Sequence, residues 1–198
     1  MNALSDRYAS DELVLRDPSD GRTLAQRLSK RYAARITGAF VVPGREGAFA
    51  LLPDDLPPAL AHALRSRGID QLYSHQAEAW AATQSGAHVA IVTPTASGKS
   101  LCYTLPVITA AMTRHAKALY LFPTKALAQD QVAELLELNQ AGDLGVKAFT
   151  FDGDTPGDAR QAIRLHGDIV VSNPDMLHQA ILPHHTKWRS SSRTCVTW

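Results

Sequence analysis

The chain has 198 residues, 45% hydrophobic and 20% charged, with a formal net charge of +1. That balance fits a globular domain with a real core and excludes a disordered or low-complexity chain. It demands neither a nucleic-acid nor a membrane partner, so any basic surface must be local.

The two cysteines, Cys102 and Cys195, form neither a disulfide framework nor a zinc-ligand spacing. Met1–Ser10 lacks the apolar centre of a secretory leader. No apolar run approaches the roughly 20 residues needed to cross a bilayer. The expectation is a soluble, cytoplasmic protein without a membrane partner.

In chain order, residues 1–52 read as an N-terminal extension. A helix is expected over Thr23–Ala34, basic on one side through Arg27, Lys30, Arg31 and Arg35. Short strands are expected at Ala39–Val42 and Ala48–Leu52, around the turn Pro43–Gly47. Residues 53–198 read as a second, larger unit. Leu56-Pro57-Pro58 opens a helix to about Arg67, ended by Gly68. Ser74 is placed to cap a helix over His75–Thr83, closed by Gly86.

The apolar run His88-Val89-Ala90-Ile91-Val92 reads as a strand, and Leu101–Arg114 reads as a helix. Between them lies Thr93-Pro94-Thr95-Ala96-Ser97-Gly98-Lys99-Ser100. Strand, small-residue loop ending Gly-Lys-Ser, helix: this order makes a phosphate cradle, because loop and helix-start N–H groups point at the anion. Lys99 can reach the β- and γ-phosphates of a nucleoside triphosphate, and the Ser100 hydroxyl can ligate its Mg²⁺. The pattern departs from G-x-x-x-x-G-K-[ST] at its first position, which is Thr93.

Beyond the loop, strands are expected at Lys117–Phe122, Val146–Phe151 and Asp168–Val171. They alternate with helices at Thr124–Asn139, Pro156–Leu165 and Pro174–Ile181. Such alternation implies an α/β fold with a doubly wound parallel sheet, whose ligands bind at the carboxyl ends of the strands. At one such end, Thr124 starts a helix beside Lys125, which suits a phosphate of a nucleic acid; an ordinary capped turn has the same residues. His184-His185 lacks partners at metal-ligand spacing.

These motifs together resemble the DEAD/DEAH-box helicases of superfamily 2, most nearly the bacterial YprA/MrfA-type DNA helicase branch. The resemblance covers about residues 54–190 and corresponds to the first of two RecA-like domains. Leu72–Ala79 resembles the Q-type motif, and Gln76 would then read the adenine edge, since an amide offers one donor and one acceptor group. Thr93–Ser100 resembles motif I, where Thr at the first position is common. Phe122–Gln131 is similar to motif Ia, which implies nucleic-acid contacts by Pro123, Thr124, Lys125 and Gln129. Phe151-Asp152-Gly153-Asp154-Thr155 resembles the family's Gly-containing turn, and Ser172–Leu177 resembles motif Ib. These imply further strand contacts by Gly153, Asn173, Pro174 and Asp175.

The resemblance implies ATP and Mg²⁺ as cofactors, Lys99 as the catalytic lysine, and a nucleic-acid partner, DNA rather than RNA. An RNA helicase fragment and a P-loop kinase or phosphotransferase are the alternatives. A kinase would need a substrate lid, which nothing at Thr124–Gln131 suggests. Motif II, motif III and the second RecA-like domain do not occur in these residues, so the expectation is an incomplete RecA-like domain, of marginal stability, that neither hydrolyses ATP efficiently nor unwinds. Ser190–Trp198 carries no strand pattern. Back-translated with one base prepended, Ser191–Trp198 yields an apolar Phe-Phe-Ala-Asn-Leu-Arg-Tyr-Val, which motivates the hypothesis of a one-base frameshift after Trp188. A gene read with no helicase sequence downstream in any frame would refute it.

Overall fold

A computed structural model describes residues 21–38, 47–188 and 195–197. The chain divides into two units at residue 46. In the first, α1 (Gly21–Arg31) carries Lys30 and Arg31 in its last turn, where cations favour the helix dipole. The Arg31 guanidinium lies 5.8 Å from the centre of the Tyr32 ring. The expected strand Ala39–Val42 and residues 43–46 of the expected turn fall outside the described residues.

The second unit opens with β1 (Phe49–Leu51), paired antiparallel with β2 (Gln71–Tyr73). Between them, α2 (Pro58–Ser66) starts on a proline, whose fixed φ and missing N–H suit the first helical position. It buries Leu60, Ala61, Ala63 and Leu64. The next helix, α3 (Ser74–Gln84), takes Ser74 as its first residue, not as its cap. Gln76 supplies the end contact instead, its Oε1 accepting from Tyr73 N–H at 2.8 Å.

From Ser100 the alternation appears as expected. It runs α4 (Ser100–Arg114), β3 (Lys117–Leu121), α5 (Lys125–Gly142), β4 (Ala148–Thr150), α6 (Gly157–His166) and β5 (Ile169–Ser172). The expected helix Pro174–Ile181 is split. A short α7 (Pro174–Met176) runs into a π-helical turn over Leu177–Ile181 and a 3-10 stretch over Leu182–Trp188. The last strand is β6 (Cys195–Thr197). The four-stranded sheet has the order β4-β5-β3-β6 and is parallel throughout.

The strand β5 is buried on both faces, which is why its sequence is apolar without alternation. Ile169 and Val171 enter one core with Leu60 and Leu64 of α2, Leu105 and Ile108 of α4, and Leu135 and Leu138 of α5. Val170 points into the other, with Phe151, Ile163 of α6, Ile181 and Trp188. Each fully buried Leu or Ile there contributes about 1.5–3 kcal/mol.

Two further sequence expectations are corrected. The run His88–Val92 is not a strand. It keeps the period-2 pattern, with Val89 and Ile91 half-buried and Val92 96% exposed. A strand is made by its hydrogen-bonded neighbour, and no described strand lies beside this run. Conversely, Cys195–Thr197 does form a strand, in parallel register with Lys117–Leu119 of β3. The free edge of β3 offers a row of unpaired backbone groups, which pair this short segment despite its weak pattern.

Candidate functional site

The loop between Val92 and α4 closes on its own lysine. Lys99 Nζ donates to Thr93 O at 2.9 Å and to Pro94 O, with Ser97 Oγ at 3.3 Å and Thr93 Oγ1 at 3.4 Å. The hydroxyls of Thr93 and Ser97 share a hydrogen bond of 2.6 Å. The ammonium is therefore ringed by four oxygens of the loop that holds it.

This curl needs left-handed backbone. Ala96 has φ 59° and Gly98 φ 71°. The alanine carries a strain of about 1–2 kcal/mol, which a glycine avoids. The first backbone bond of α4 runs from Cys102 N–H to Lys99 O at 3.0 Å. The N–H groups ahead of it have no partner within the helix, and α4 has 15 residues behind them. A triphosphate fits this donor set: N–H groups without a partner inside the helix, a helix N-terminus and an ammonium that need only exchange loop carbonyls for phosphate oxygens.

Gln76 is buried and occupied at both ends of its amide. Besides accepting from Tyr73, it donates through Nε2 to Gly98 O at 2.7 Å. It thereby fastens the Thr93–Ser100 loop to the start of α3. Ser100, the expected Mg²⁺ ligand, donates its hydroxyl to Glu134 Oε1 at 3.1 Å. Thr95 and Pro94 stand exposed on the outside of the loop.

The second group of expected residues gathers at the carboxyl edge of the sheet. Phe122 N–H bonds to Ser172 O at 2.9 Å and Phe151 N–H to Val171 O at 2.8 Å, so the ends of β3, β4 and β5 are neighbours. Pro123, Thr124, Lys125 and Gln129 are exposed there, as are Gly153, Pro174 and Asp175, with Asn173 half-buried. Two helix starts open onto this edge. Thr124 Oγ1 accepts from Leu127 N–H at 3.3 Å, and Asn173 Oδ1 accepts from Met176 N–H at 2.8 Å.

Lys125 reaches across to Asp154 at 2.5 Å. The hydrogen bond that Lys125 donates to Asp154 holds the lysine above its ordinary value, and the same bond holds Asp154 below the ordinary carboxylate value. Both therefore stay charged through the neutral range. Among the described residues no group of three or more His, Cys, Asp or Glu could hold a metal ion. No described helix is long and apolar enough to cross a membrane.

Sequence reasoning missed the residues that brace these loops. Arg160 donates to Thr155 O at 2.9 Å, Asp152 O at 3.0 Å and Gly153 O at 3.3 Å, and lies 5.4 Å from the centre of the Phe151 ring. The buried Asp152 accepts from Asp154 N–H at 3.0 Å and Thr155 Oγ1 at 3.1 Å. Glu134 was missed too; its spacing from Gln131 shows a shared helix face, but nothing in the sequence joins it to a serine 34 positions earlier.

The DEAD/DEAH box helicase family model matches residues 73–196. The chain is 52% identical over 147 residues to the uncharacterized ATP-dependent helicase YprA of Bacillus subtilis, covering 74% of this chain and 20% of that protein. It is 41% identical over 150 residues to the ATP-dependent helicase hrq1 of Schizosaccharomyces pombe, covering 74% and 14%. The crystal structure of the helicase MrfA bound to DNA and AMPPNP superposes with a TM-score of 0.73 at 51% identity, over 76% of this chain and 21% of that one. The chain thus spans about a fifth or less of the length of these relatives. With a family match over most of its length and the same fold in the solved relative, this chain belongs to the DEAD/DEAH box helicases.

Proposed function

We propose that this chain is the ATP-binding part of an ATP-dependent DNA helicase, holding nucleotide at residues 93–100 and a nucleic-acid strand at the carboxyl edge of the sheet. The observation that carries the reading is the Lys99 ammonium, drawn into its own loop by Thr93 O and Pro94 O at the start of a 15-residue helix. A triphosphate offers this cation better partners than neutral carbonyls do, since charge-assisted bonds are roughly twice as strong. Lys99 would then hold the negative charge that develops on the transferred phosphoryl group. Ser100 would hold the Mg²⁺, and bound Mg²⁺ supplies neutralisation of the phosphate charge. Gln76 uses one amide hydrogen on Gly98 O and one Oε1 lone pair on Tyr73 N–H, so its second hydrogen and second lone pair would serve the adenine edge.

At the sheet edge, Thr124, Lys125, Gln129, Gly153 and Asn173 to Asp175 would track the backbone of one strand. These are positioning contacts that carry no sequence information. DNA is favoured over RNA because the relative of known structure at 51% identity is bound to DNA.

The test is single-strand binding by the chain. Lys125→Ala is expected to weaken it about five- to tenfold on every sequence. The same change should lower the salt slope by about 0.7, as the loss of one phosphate contact on a single strand would. Asp154→Asn removes the carboxylate that competes for Lys125, and is expected to raise affinity about twofold at low salt. A fluorescence-anisotropy titration with labelled DNA and RNA oligonucleotides reads all three. Unchanged binding in Lys125→Ala, or loss confined to one base sequence, contradicts the strand-tracking role. Tighter binding of RNA than of DNA corrects the choice of strand.

A further inference from the structure

A half-buried chain of polar side chains leads away from the phosphate loop. Ser100 donates to Glu134 Oε1 at 3.1 Å, and the other carboxylate oxygen accepts from Gln131 Nε2 at 3.2 Å. Gln131, itself only 5% exposed, accepts from Tyr103 OH at 2.5 Å. The Tyr103 ring is fixed edge-on against Tyr120, with centroids 5.3 Å apart. Burial first, then Glu134 and Cys102, push the Tyr103 hydroxyl up to about 12, so it stays a donor at any physiological pH. Every hydrogen in this chain therefore has one direction: Tyr103 to Gln131, Gln131 to Glu134, Ser100 to Glu134.

That direction matters for a serine that ligates a metal. A hydroxyl binds a cation through a lone pair, so its hydrogen must point elsewhere, to an acceptor. Metal-binding groups are commonly oriented by such outer partners, and losing one costs about 10- to 100-fold in metal affinity. Building on the nucleotide-binding reading of residues 93–100, we propose that Glu134 is a positioning residue for the nucleotide's divalent cation. Its carboxylate takes the hydrogen bond of the Ser100 hydroxyl and so turns an Oγ lone pair toward the metal. Gln131 and Tyr103 hold that carboxylate in place. The arrangement also ties the phosphate loop to α5, whose first turn carries Lys125. One helix thereby serves both the nucleotide and the strand-binding edge.

The substitution Glu134→Gln separates this from a merely structural role. The carboxylate accepts two hydrogen bonds, but the amide has one accepting oxygen. Either Gln131 or Ser100 then meets an NH₂ group, and an NH₂ donating to Ser100 Oγ occupies the lone pair the metal needs. Binding of a fluorescent ATP analogue by the full chain is titrated with Mg²⁺ and again in EDTA. The expected result is an affinity about tenfold lower than wild type in Mg²⁺ and within about twofold of wild type in EDTA. Ser100→Ala should show the same metal-specific loss, and adding Glu134→Gln to it should cost nothing more. Glu134→Ala, which suits a helix interior, repeats the test should the glutamine variant fold poorly.

Equal losses with and without Mg²⁺, no loss in either condition, or a further loss in the Ser100→Ala background would overturn the proposal. Lys99→Ala is the control on the underlying reading. If wild type and Lys99→Ala bind alike, the loop does not hold the nucleotide and both conclusions fail. If they differ while Glu134→Gln matches wild type, only the role of Glu134 fails.

Discussion

Gly98→Ala is expected to weaken nucleotide binding about 100-fold, from two costs that add. Gly98 has φ 71°, where a side chain carries about 1–2 kcal/mol of strain. A Cβ there would also lie 2.7 Å from Gln76 Nε2, inside any normal contact. Gln76 cannot simply swing aside. It is 3% exposed, and its two amide atoms bond to Tyr73 N–H and Gly98 O. Displacing it leaves buried polar groups unpaired, at about 1–3 kcal/mol. Ligand titration beside a thermal melt checks this. The binding loss should far exceed what any change in melting accounts for, because the strain sits in the loop and not in the core. Binding within threefold of wild type would mean that the loop tolerates a side chain at position 98, and that the curl around Lys99 is not the binding conformation.

Leu105→Ala is expected to cost about 2–5 kcal/mol of folding stability. Leu105 is fully buried and sits in the main core, where α2, α4, α5 and β5 meet. The substitution removes its transfer energy and leaves a cavity that four elements cannot close together. A domain of this size has about 5–15 kcal/mol in total, so the change consumes a large share of it. Urea unfolding should show a lower midpoint with an unchanged slope. Leu182→Ala, at a site 54% exposed, is the matched control and should move the midpoint little. A Leu105→Ala midpoint indistinguishable from that of the control would mean that α4 is not packed as described.

Much of the fold was legible because each signal was local. Thr124 and Asn173 announce helix starts through side chains that bond three residues ahead. The Gly-Lys-Ser loop is recognisable because its chemistry is confined to eight consecutive residues. The strand expected at Asp168–Val171 appears as Ile169–Ser172, and the structure adds that its side chains enter two cores.

What escaped depends on a partner distant in sequence. His88–Val92 has a strand's pattern but no described neighbour to pair with. Cys195–Thr197 has little pattern and is paired by the open edge of β3. The same reason hid Glu134. Glu134 meets a serine from another helix, whereas Arg160 escaped because its nearby partners are backbone carbonyls, which no side-chain pattern marks. Gln76 was read through its chemistry toward adenine, while its place in the fold, pinning Gly98, rests on a contact 22 residues away.

The most direct test of the account is an equilibrium titration of the chain and its Lys99→Ala variant with ATP and Mg²⁺. Saturable binding by the wild type is expected, with a loss of at least about 30-fold in the variant, since a charge-assisted contact to phosphate is worth roughly 1.5–3 kcal/mol and the freed loop loses its closed form as well. Indistinguishable isotherms for the two proteins would contradict it, because the Thr93–Ser100 turn would then not be where the triphosphate is held.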